Sequence, residues 1–241
     1  MFDVILLCFG VFLFLISWYN PIPYGRFSGS LNLLWEIVPN RWFIALANLP
    51  ALVCLCFQTD KLSSIGQTVL VFLFIHFGMR SVVVPLVTGF IYTSDKKMVS
   101  VLTLLLVGAY NGIAGWTLAY MCTTLEGEMG DYWMDWPYYI GALTCLLLNM
   151  YYDIYVNYMR CHRDDVKYTE DLYIKEESLC EYFDLMFAVG ITSPNYFFEI
   201  IEWLLIFLLT WHTESFAYFL STWLILWTRG LHISLWLCNK K

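Results

Sequence analysis

Residues 98–122 read MVSVLTLLLVGAYNGIAGWTLAYMC, a stretch without a single acidic or basic side chain. A helix of about 20 apolar residues is long enough to cross the hydrocarbon core of a bilayer. Six other stretches of the chain are similarly apolar, so the sequence predicts about seven transmembrane helices. The predicted spans are roughly 2–18, 42–58, 66–92, 98–122, 137–159, 196–212 and 215–238.

The amino-acid composition also favours a bilayer environment. Of the 241 residues, 60% are hydrophobic, 19% are aromatic and only 14% are charged, whereas soluble domains carry about 25% charged residues. Tyrosine and tryptophan favour membrane interfaces, where the ring is buried and its polar atom reaches water. A net charge of −7 argues against a nucleic-acid partner. We therefore predict an all-α, polytopic membrane protein that forms a single domain over residues 1–241.

The eight cysteines lie mostly within or at the ends of the apolar stretches, so they are expected to pack as small hydrophobic residues. Cys54 and Cys56 are the only close pair, and their spacing on a helix does not make a metal site by itself. The sequence therefore predicts neither a disulfide framework nor a bound metal.

Basic residues in alternate loops set the predicted orientation. All basic residues of the loops except Lys61 lie in loops 19–41, 93–97 and 160–194 and at the carboxyl end, whereas loop 124–136 carries four acids and no base. This pattern predicts a non-cytosolic amino end and a cytosolic carboxyl end. The first span is expected to be a retained anchor, because its amino end carries Asp3 and not a basic cluster. Residues 179–191 are expected to lie at the membrane interface or to re-enter it.

The fifth predicted span carries polar side chains at helical spacing. Asn149, Asp153 and Arg160 fall on one stripe of the helix, at its predicted cytosolic end. Ionisable groups at membrane depth are costly unless they are paired or hydrated. The stripe is either a salt-bridged helix end or a polar wall that receives a charged ligand.

The sixth predicted span repeats this arrangement. Asn195, Glu199 and Glu202 are spaced i, i+4 and i+7, so they share one face, and Pro194 is well placed to begin the helix. Two carboxylates inside an apolar helix are difficult to explain by packing. They are suited to accept hydrogen bonds from ribose hydroxyls or an amide, or to orient an arginine that binds phosphate.

Other ionisable residues stand inside predicted spans. His76 and Arg80 are four residues apart, and Arg80 is expected to pair with a carboxylate from another span. A buried, satisfied histidine is the simpler reading of His76. Arg229 either extends to the interface or faces a pocket. The chain has no G-x-G-x-x-G after a strand, no P-loop, no H-E-x-x-H and no serine-hydrolase elbow. A bound nucleotide would therefore be held by helices.

Residues 195–203, NYFFEIIEW, resemble the N-Y-F-G-E-x-x-E-W signature of the membrane steroid 5α-reductase family. Asn149, Asp153 and Arg160 resemble the N-I-H-S-D-x-x-L-R-x-L-R segment that precedes this signature in the family. Residues 76–80 (HFGMR) resemble an H-Y-x-x-R motif, residues 24–26 (YGR) a Y-G-R/K motif, and residues 111–112 an N-G motif. The motif order and the seven-span layout also agree.

The resemblance implies an NADPH-dependent oxidoreductase of the endoplasmic reticulum that reduces the 4,5 double bond of a 3-oxo-4-ene steroid or a similar lipid enone. It places substrate-side helices in residues 1–136 and cofactor-binding helices in residues 137–241. It assigns cofactor binding to Tyr24, Asn149, Asp153, Arg160, Asn195, Glu199 and Arg229.

The chain departs from the family pattern at the catalytic positions. The Q-E-L-P segment reads Ala47-Asn48-Leu49-Pro50, so Asn48 replaces a glutamate, and Phe77 replaces the tyrosine that faces the ketone. Alternatives therefore include an enoyl-CoA or polyprenol-type reductase with another carbonyl substrate, and a binding or scaffold relative with impaired catalysis. A transporter or receptor is a further alternative without a specific motif.

Overall fold

The computed structural model describes residues 1–19, 36–57, 62–91, 98–161 and 194–238, and only the backbone of residues 36–41, 88–91, 98, 156–161 and 233–238. The described part is mostly helical. The helices are α1 (Phe2–Tyr19), α2 (Asn40–Cys56), α3 (Ser64–Gly78), α4 (Val84–Ile91), α5 (Val101–Thr124), α6 (Asp135–Cys161), α7 (Pro194–Thr210) and α8 (Thr213–Cys238). A π-helical segment, Met79–Val83, joins α3 to α4 without a break.

A helix lies at each of the seven predicted spans, with ends within three residues of the prediction where helices α3 and α4 count as one. Three helical stretches are long and apolar enough to cross a membrane: Phe2–Tyr19, Ser64–Val87 and Val101–Thr124. A shorter apolar helix covers Trp42–Cys56. The helical class and the position of each helix follow from the apolar pattern. The membrane crossings predicted for the remaining helices stay predictions.

Two short strands depart from the all-α prediction. Strand β1 (Glu36–Pro39) pairs antiparallel with β2 (Met98–Ser100). Residues 98–100 therefore form a strand and not the first turn of a span. Ser100 ends this strand and caps α5, because its hydroxyl oxygen accepts a hydrogen bond from the Thr103 backbone N–H at 3.2 Å. Strands of three or four residues carry too little alternation to be recognised in a sequence.

The helices pack in pairs. Helix α2 lies against α5, α6 against α7, and α1 against α8, while α7 also contacts α8. Close approach depends on small residues, as is common between membrane helices. A Cβ atom at Gly10 of α1 would lie 2.2 Å from the Cβ of Ser221 in α8. The Ser17 hydroxyl of α1 also bonds the Thr228 hydroxyl of α8 at 2.8 Å.

The α2–α5 contact gives a stability prediction. Gly115→Ala is expected to lower the free energy of unfolding by about 1–3 kcal/mol, because the new Cβ would lie 2.5 Å from the Cα of Ala51. Gly108→Ala on the same helix is the control, since the nearest atom there is Pro50 Cγ at 3.8 Å. Thermal unfolding in detergent micelles measures both variants. Equal thermal midpoints for Gly115→Ala and Gly108→Ala would contradict a tight α2–α5 interface.

The π-helical segment changes the direction of the side chains that follow α3. The Val84 N–H donates to the carbonyl of Met79, five residues earlier. Pro85 follows directly, and a proline has no N–H to donate and crowds the carbonyl four residues before it. A wider turn accommodates this crowding. Arg80 lies inside this turn and faces α6 and α7.

Candidate functional site

Arg80 connects three helical elements at the centre of a buried polar cluster. Its Nη2 donates to Glu199 Oε2 of α7 at 2.6 Å and lies 4.0 Å from Asp153 Oδ2 of α6. All three side chains are less than one fifth exposed. The prediction that Arg80 pairs with a carboxylate from another span is confirmed. A buried guanidinium is stabilised by these two carboxylates.

Two asparagines complete the contacts between α6 and α7. The Asn195 side-chain amide donates to Asp153 Oδ1 at 2.6 Å. In the amide orientation that satisfies its neighbours, Asn149 accepts from Arg80 Nη2 at 2.7 Å and donates to the Asn195 carbonyl at 3.1 Å. We name Arg80, Asn149, Asp153, Asn195 and Glu199 the arginine cluster. Four of its five members were predicted as cofactor-binding residues, and the structure brings these four together.

A second charged pair lies beside the arginine cluster. His76 Nδ1 is 2.5 Å from Glu202 Oε1, and both side chains are at most 1% exposed. The Trp203 ring packs edge-on against the His76 ring, with centroids 4.7 Å apart. His76 is one turn before Arg80, and Glu202 is one turn after Glu199, so the two pairs follow each other along the same two helices.

Several buried polar atoms around these pairs have unused hydrogen-bonding capacity. Within the described residues, Arg80 Nε, Ser81 Oγ, Glu202 Oε2 and Trp203 Nε1 have no hydrogen-bond partner. Buried polar atoms are nearly always partnered in folded proteins, because an unpartnered one costs about 1–3 kcal/mol. These four atoms belong to the π-helical segment and to α7.

Of the remaining predicted cofactor residues, Arg229 lies near the arginine cluster, whereas the structure does not describe the side chain of Arg160 or any part of Tyr24. Arg229 of α8 places its guanidinium carbon 5.7 Å from the ring centroid of Tyr196, the residue that follows Asn195. Arg229 is therefore at the same end of α7 as the arginine cluster. The side chain of Arg160 and the whole of Tyr24 lie outside the described residues.

The two predicted catalytic positions lie in different surroundings. The Asn48 amide donates to the Ile44 carbonyl of its own helix at 2.8 Å, and its oxygen accepts from Asn111 Nδ2 at 3.4 Å. Asn48 therefore joins α2 to α5. Phe77 is fully buried, and its ring packs against Trp203 with centroids 6.4 Å apart. Phe77 supports the ring layer around His76 and offers no hydrogen bond.

Three residues of this region, His76, Arg80 and Glu202, are not among the predicted site residues. Each is an ionisable residue in an apolar helix, but the spacing along one helix does not show which carboxylate a cation contacts. Pro85 was the available signal, because a proline inside an apolar span marks a local change of helix geometry. The common face of His76 and Arg80 was the second signal.

The opposite ends of α6 and α7 carry ordinary capping contacts. Asp135 Oδ2 accepts from the backbone N–H groups of Gly130 and Tyr132 at 3.0 and 3.2 Å. His212 Nδ1 bonds the Glu214 carboxylate in the turn between α7 and α8. Thus the end of α6 and α7 that lies away from the arginine cluster carries only local contacts of Asp135 and His212 among those described.

Comparison of the chain with protein-family models and with curated proteins finds no match in either set.

Proposed function

We propose that the chain is a multi-pass membrane protein with seven transmembrane helices and with the arginine cluster near its cytosolic face. The three long apolar helices support this proposal. Helices α6 and α7 carry more polar residues, but those residues face each other within the bundle, as membrane burial requires. The basic loops support a non-cytosolic amino end and a cytosolic carboxyl end. The endoplasmic reticulum is proposed from the family resemblance alone.

We further propose that the protein is an NADPH-dependent reductase of a carbon–carbon double bond conjugated to a lipid carbonyl, such as a 3-oxo-4-ene steroid. One observation carries the proposal. Asn149, Asp153, Asn195 and Glu199, the residues through which the chain resembles steroid 5α-reductases, converge on Arg80 in a single cluster. Polar side chains placed on two helices without a shared role would not be expected to meet in this way. An enoyl thioester or polyprenol-type substrate is the alternative within the same reaction class.

The chemistry of the cluster suits part of a dinucleotide. Its two carboxylates would repel a phosphate group, but they accept hydrogen bonds from ribose hydroxyls and from a nicotinamide amide. Arg80 Nε is a buried donor without a partner in the described residues. Phosphates are better placed toward Arg229 and toward the cytosolic end of α6, where the chain carries Arg160. Hydrogen-bond acceptors for a ribose or an amide beside arginines for phosphate support the proposed cofactor.

The residues of the chain have three roles in the proposed reaction. The cofactor, when bound, supplies a hydride to the β-carbon of the enone. Asp153 and Asn195 hold each other in place, so they present a fixed carboxylate and amide to the cofactor. Helices α3, α6 and α7 bury the arginine cluster, and this burial would strengthen its polar contacts with a bound cofactor.

The direct test is an assay of the purified protein in lipid nanodiscs with NADPH and a panel of substrates. The panel contains a 3-oxo-4-ene steroid, an enoyl-CoA and a polyprenal. We expect saturable NADPH binding and loss of the NADPH absorbance with at least one substrate, together with a product two hydrogens heavier. Absence of both binding and turnover with the whole panel would reject the proposed function.

A second candidate is a binding relative that keeps the cofactor site but lacks turnover. It is favoured by the surroundings of the two catalytic positions, because Phe77 has no proton to donate and Asn48 is engaged by α2 and α5. This candidate predicts NADPH binding in the same assay, without consumption of NADPH in the presence of any substrate of the panel.

A further inference from the structure

Three turns of the chain meet at the end of the bundle opposite the arginine cluster. The Ser63 hydroxyl, just before α3, donates to the Leu125 carbonyl, just after α5, at 2.8 Å. The Thr124 hydroxyl lies 3.3 Å from Nε2 of His212, in the turn between α7 and α8. The loop that follows α5 is therefore tied to both of the other turns. We name these connected residues the turn layer: residues 62–63, 124–134 and 211–212.

The turn layer exposes large aromatic rings on a fixed backbone. Trp133 is 85% exposed, and Tyr132 and Trp211 are each 74% exposed. The backbone beneath Tyr132 and Trp133 is held by Asp135, whose Oδ2 accepts from the N–H groups of Gly130 and Tyr132. The rings are thus presented outward by an ordered turn. Large exposed apolar surface of this kind marks an interaction site.

The backbone of Trp211 is left-handed, a conformation that disfavours any residue with a Cβ. Its φ is +46°, and its N–H donates to the Phe207 carbonyl at 2.7 Å. This bond is the usual left-handed ending of a helix, where glycine is common because a Cβ crowds the neighbouring carbonyl. A glycine would therefore end α7 equally well. The indole also packs on Phe207, with centroids 5.3 Å apart, but most of its surface points away from the protein.

The charges around these rings distinguish one class of lipid from another. Glu126, Glu128 and Asp131 are exposed carboxylates of the same layer, and His212 already bonds the Glu214 carboxylate. Carboxylates repel anionic headgroups and attract the ammonium group of a zwitterionic headgroup. The faces of tryptophan and tyrosine rings attract the same ammonium group. The layer is therefore complementary to a zwitterionic lipid such as phosphatidylcholine.

We propose that the turn layer lies in the headgroup region of the non-cytosolic leaflet, where Tyr132, Trp133 and Trp211 contact the ammonium groups of zwitterionic lipids. Amphipathic rings favour this region because the ring is buried while its polar atom reaches water. The inference rests on the proposed membrane placement and is independent of the proposed reduction.

This anchoring sets the depth of the arginine cluster. Asp135 is bonded to the turn layer, and Asp153 lies about 27 Å farther along α6 by the rise of an α-helix. The hydrocarbon core of a bilayer is about 30 Å thick. With the turn layer in one headgroup region, the arginine cluster lies near the opposite, cytosolic edge of the core, where a water-soluble cofactor can reach it.

Fluorine NMR of the full chain in phosphatidylcholine nanodiscs, with fluorotryptophan in place of tryptophan, tests the proposal. Replacing Trp133 or Trp211 with phenylalanine, one at a time, assigns the two resonances. A nitroxide on the lipid headgroup should broaden both resonances at least about threefold more than a nitroxide at the end of the acyl chains, because the rings lie at the interface. Broadening by a water-soluble relaxation agent, without a response to the headgroup nitroxide, would overturn the proposal.

Two other tryptophans serve as controls in the same spectra. Trp116 is 49% exposed and lies on α5, which ends at Thr124, so it is about 12 Å inside the helix end. Its resonance should respond more to the nitroxide at the end of the acyl chains. Trp203 is fully buried and should respond to neither nitroxide. If Trp116 does not respond to the acyl-chain nitroxide, the proposed membrane crossing of α5 is rejected together with the position of the turn layer.

Lipid charge provides the second measurement. In nanodiscs of equal parts phosphatidylcholine and phosphatidylglycerol, a headgroup nitroxide on phosphatidylcholine should broaden the Trp133 resonance at least about twofold more than one on phosphatidylglycerol. The double variant Glu126→Gln with Glu128→Gln should reduce this difference, because it removes two negative charges and keeps the rings. Equal broadening by the two lipids in the wild type would overturn the contact with ammonium groups.

Discussion

Replacing Arg80 with methionine is expected to lower the free energy of unfolding by about 3–5 kcal/mol, the usual cost of removing one partner from a buried ion pair. Glu199 would lose its donor at 2.6 Å, and Asp153 would lose its nearby cation. Asn149 would lose the donor to its amide oxygen. Two carboxylates would then remain in a low-dielectric region without compensation. We expect less folded protein in detergent and a lower thermal midpoint.

The double variant Arg80→Met with Glu199→Gln is the informative control. It removes the cation and one carboxylate together, so much of the stability should return, and a double-mutant cycle gives the coupling between the two residues. Thermal unfolding followed by circular dichroism measures the wild type, Arg80→Met, Glu199→Gln and the double variant. If Arg80→Met unfolds at the wild-type midpoint, the ion pair does not hold α6 and α7 around the π-helical segment.

Asp153→Asn is expected to weaken NADPH binding by about 10- to 100-fold, the range that corresponds to the loss of one charge-assisted hydrogen bond. Asparagine keeps an oxygen that accepts from Asn195, so the α6–α7 contact should survive. The variant removes the negative charge that would receive a ribose hydroxyl or the nicotinamide amide, and Arg80 keeps its closer partner Glu199 at 2.6 Å. Tryptophan quenching or calorimetry with the purified protein measures the dissociation constant.

Asp135→Asn is the matched control for this experiment. Asp135 is on the same helix, about 27 Å from Asp153 by the rise of an α-helix, and its carboxylate accepts from two backbone N–H groups. An asparagine oxygen accepts those bonds as well, so NADPH affinity should be unchanged. Similar affinities for Asp153→Asn and the wild type would remove Asp153 from the proposed cofactor site.

Much of the fold follows from the sequence because long apolar helices have a simple signature. Runs of apolar residues predicted each helix of the described residues, and the start of α5 after Ser100 was missed only because a capping serine and a three-residue strand are local features. The pairing of α6 with α7 was implied by polar faces on both. The pairing of α1 with α8 had no such signal, because it depends on Gly10 and Ser221 approaching each other.

The candidate site was predicted in composition but not in arrangement. Spacing along one helix placed Asn149 with Asp153, and Asn195 with Glu199, on common faces, and the structure brings the two faces together. Spacing along a helix could not identify Arg80 as the shared partner, because Arg80 is on a third helical element. The π-helical turn there sets the direction of its side chain. Tertiary contacts of this kind depend on how helices are rotated about their axes, which apolar length does not specify.

The hydrogen bond between Ser17 and Thr228 joins two residues that are synthesised at very different times. At about 5–20 residues per second, the 211 residues that separate them take roughly 10–40 s to synthesise. During that interval α1 exists without α8. Its serine is protected meanwhile, because the hydroxyl also donates to the Phe14 carbonyl of the same helix at 2.9 Å. Thr228 has equivalent bonds to its own helix, so the late closure of the bundle leaves neither hydroxyl unsatisfied beforehand.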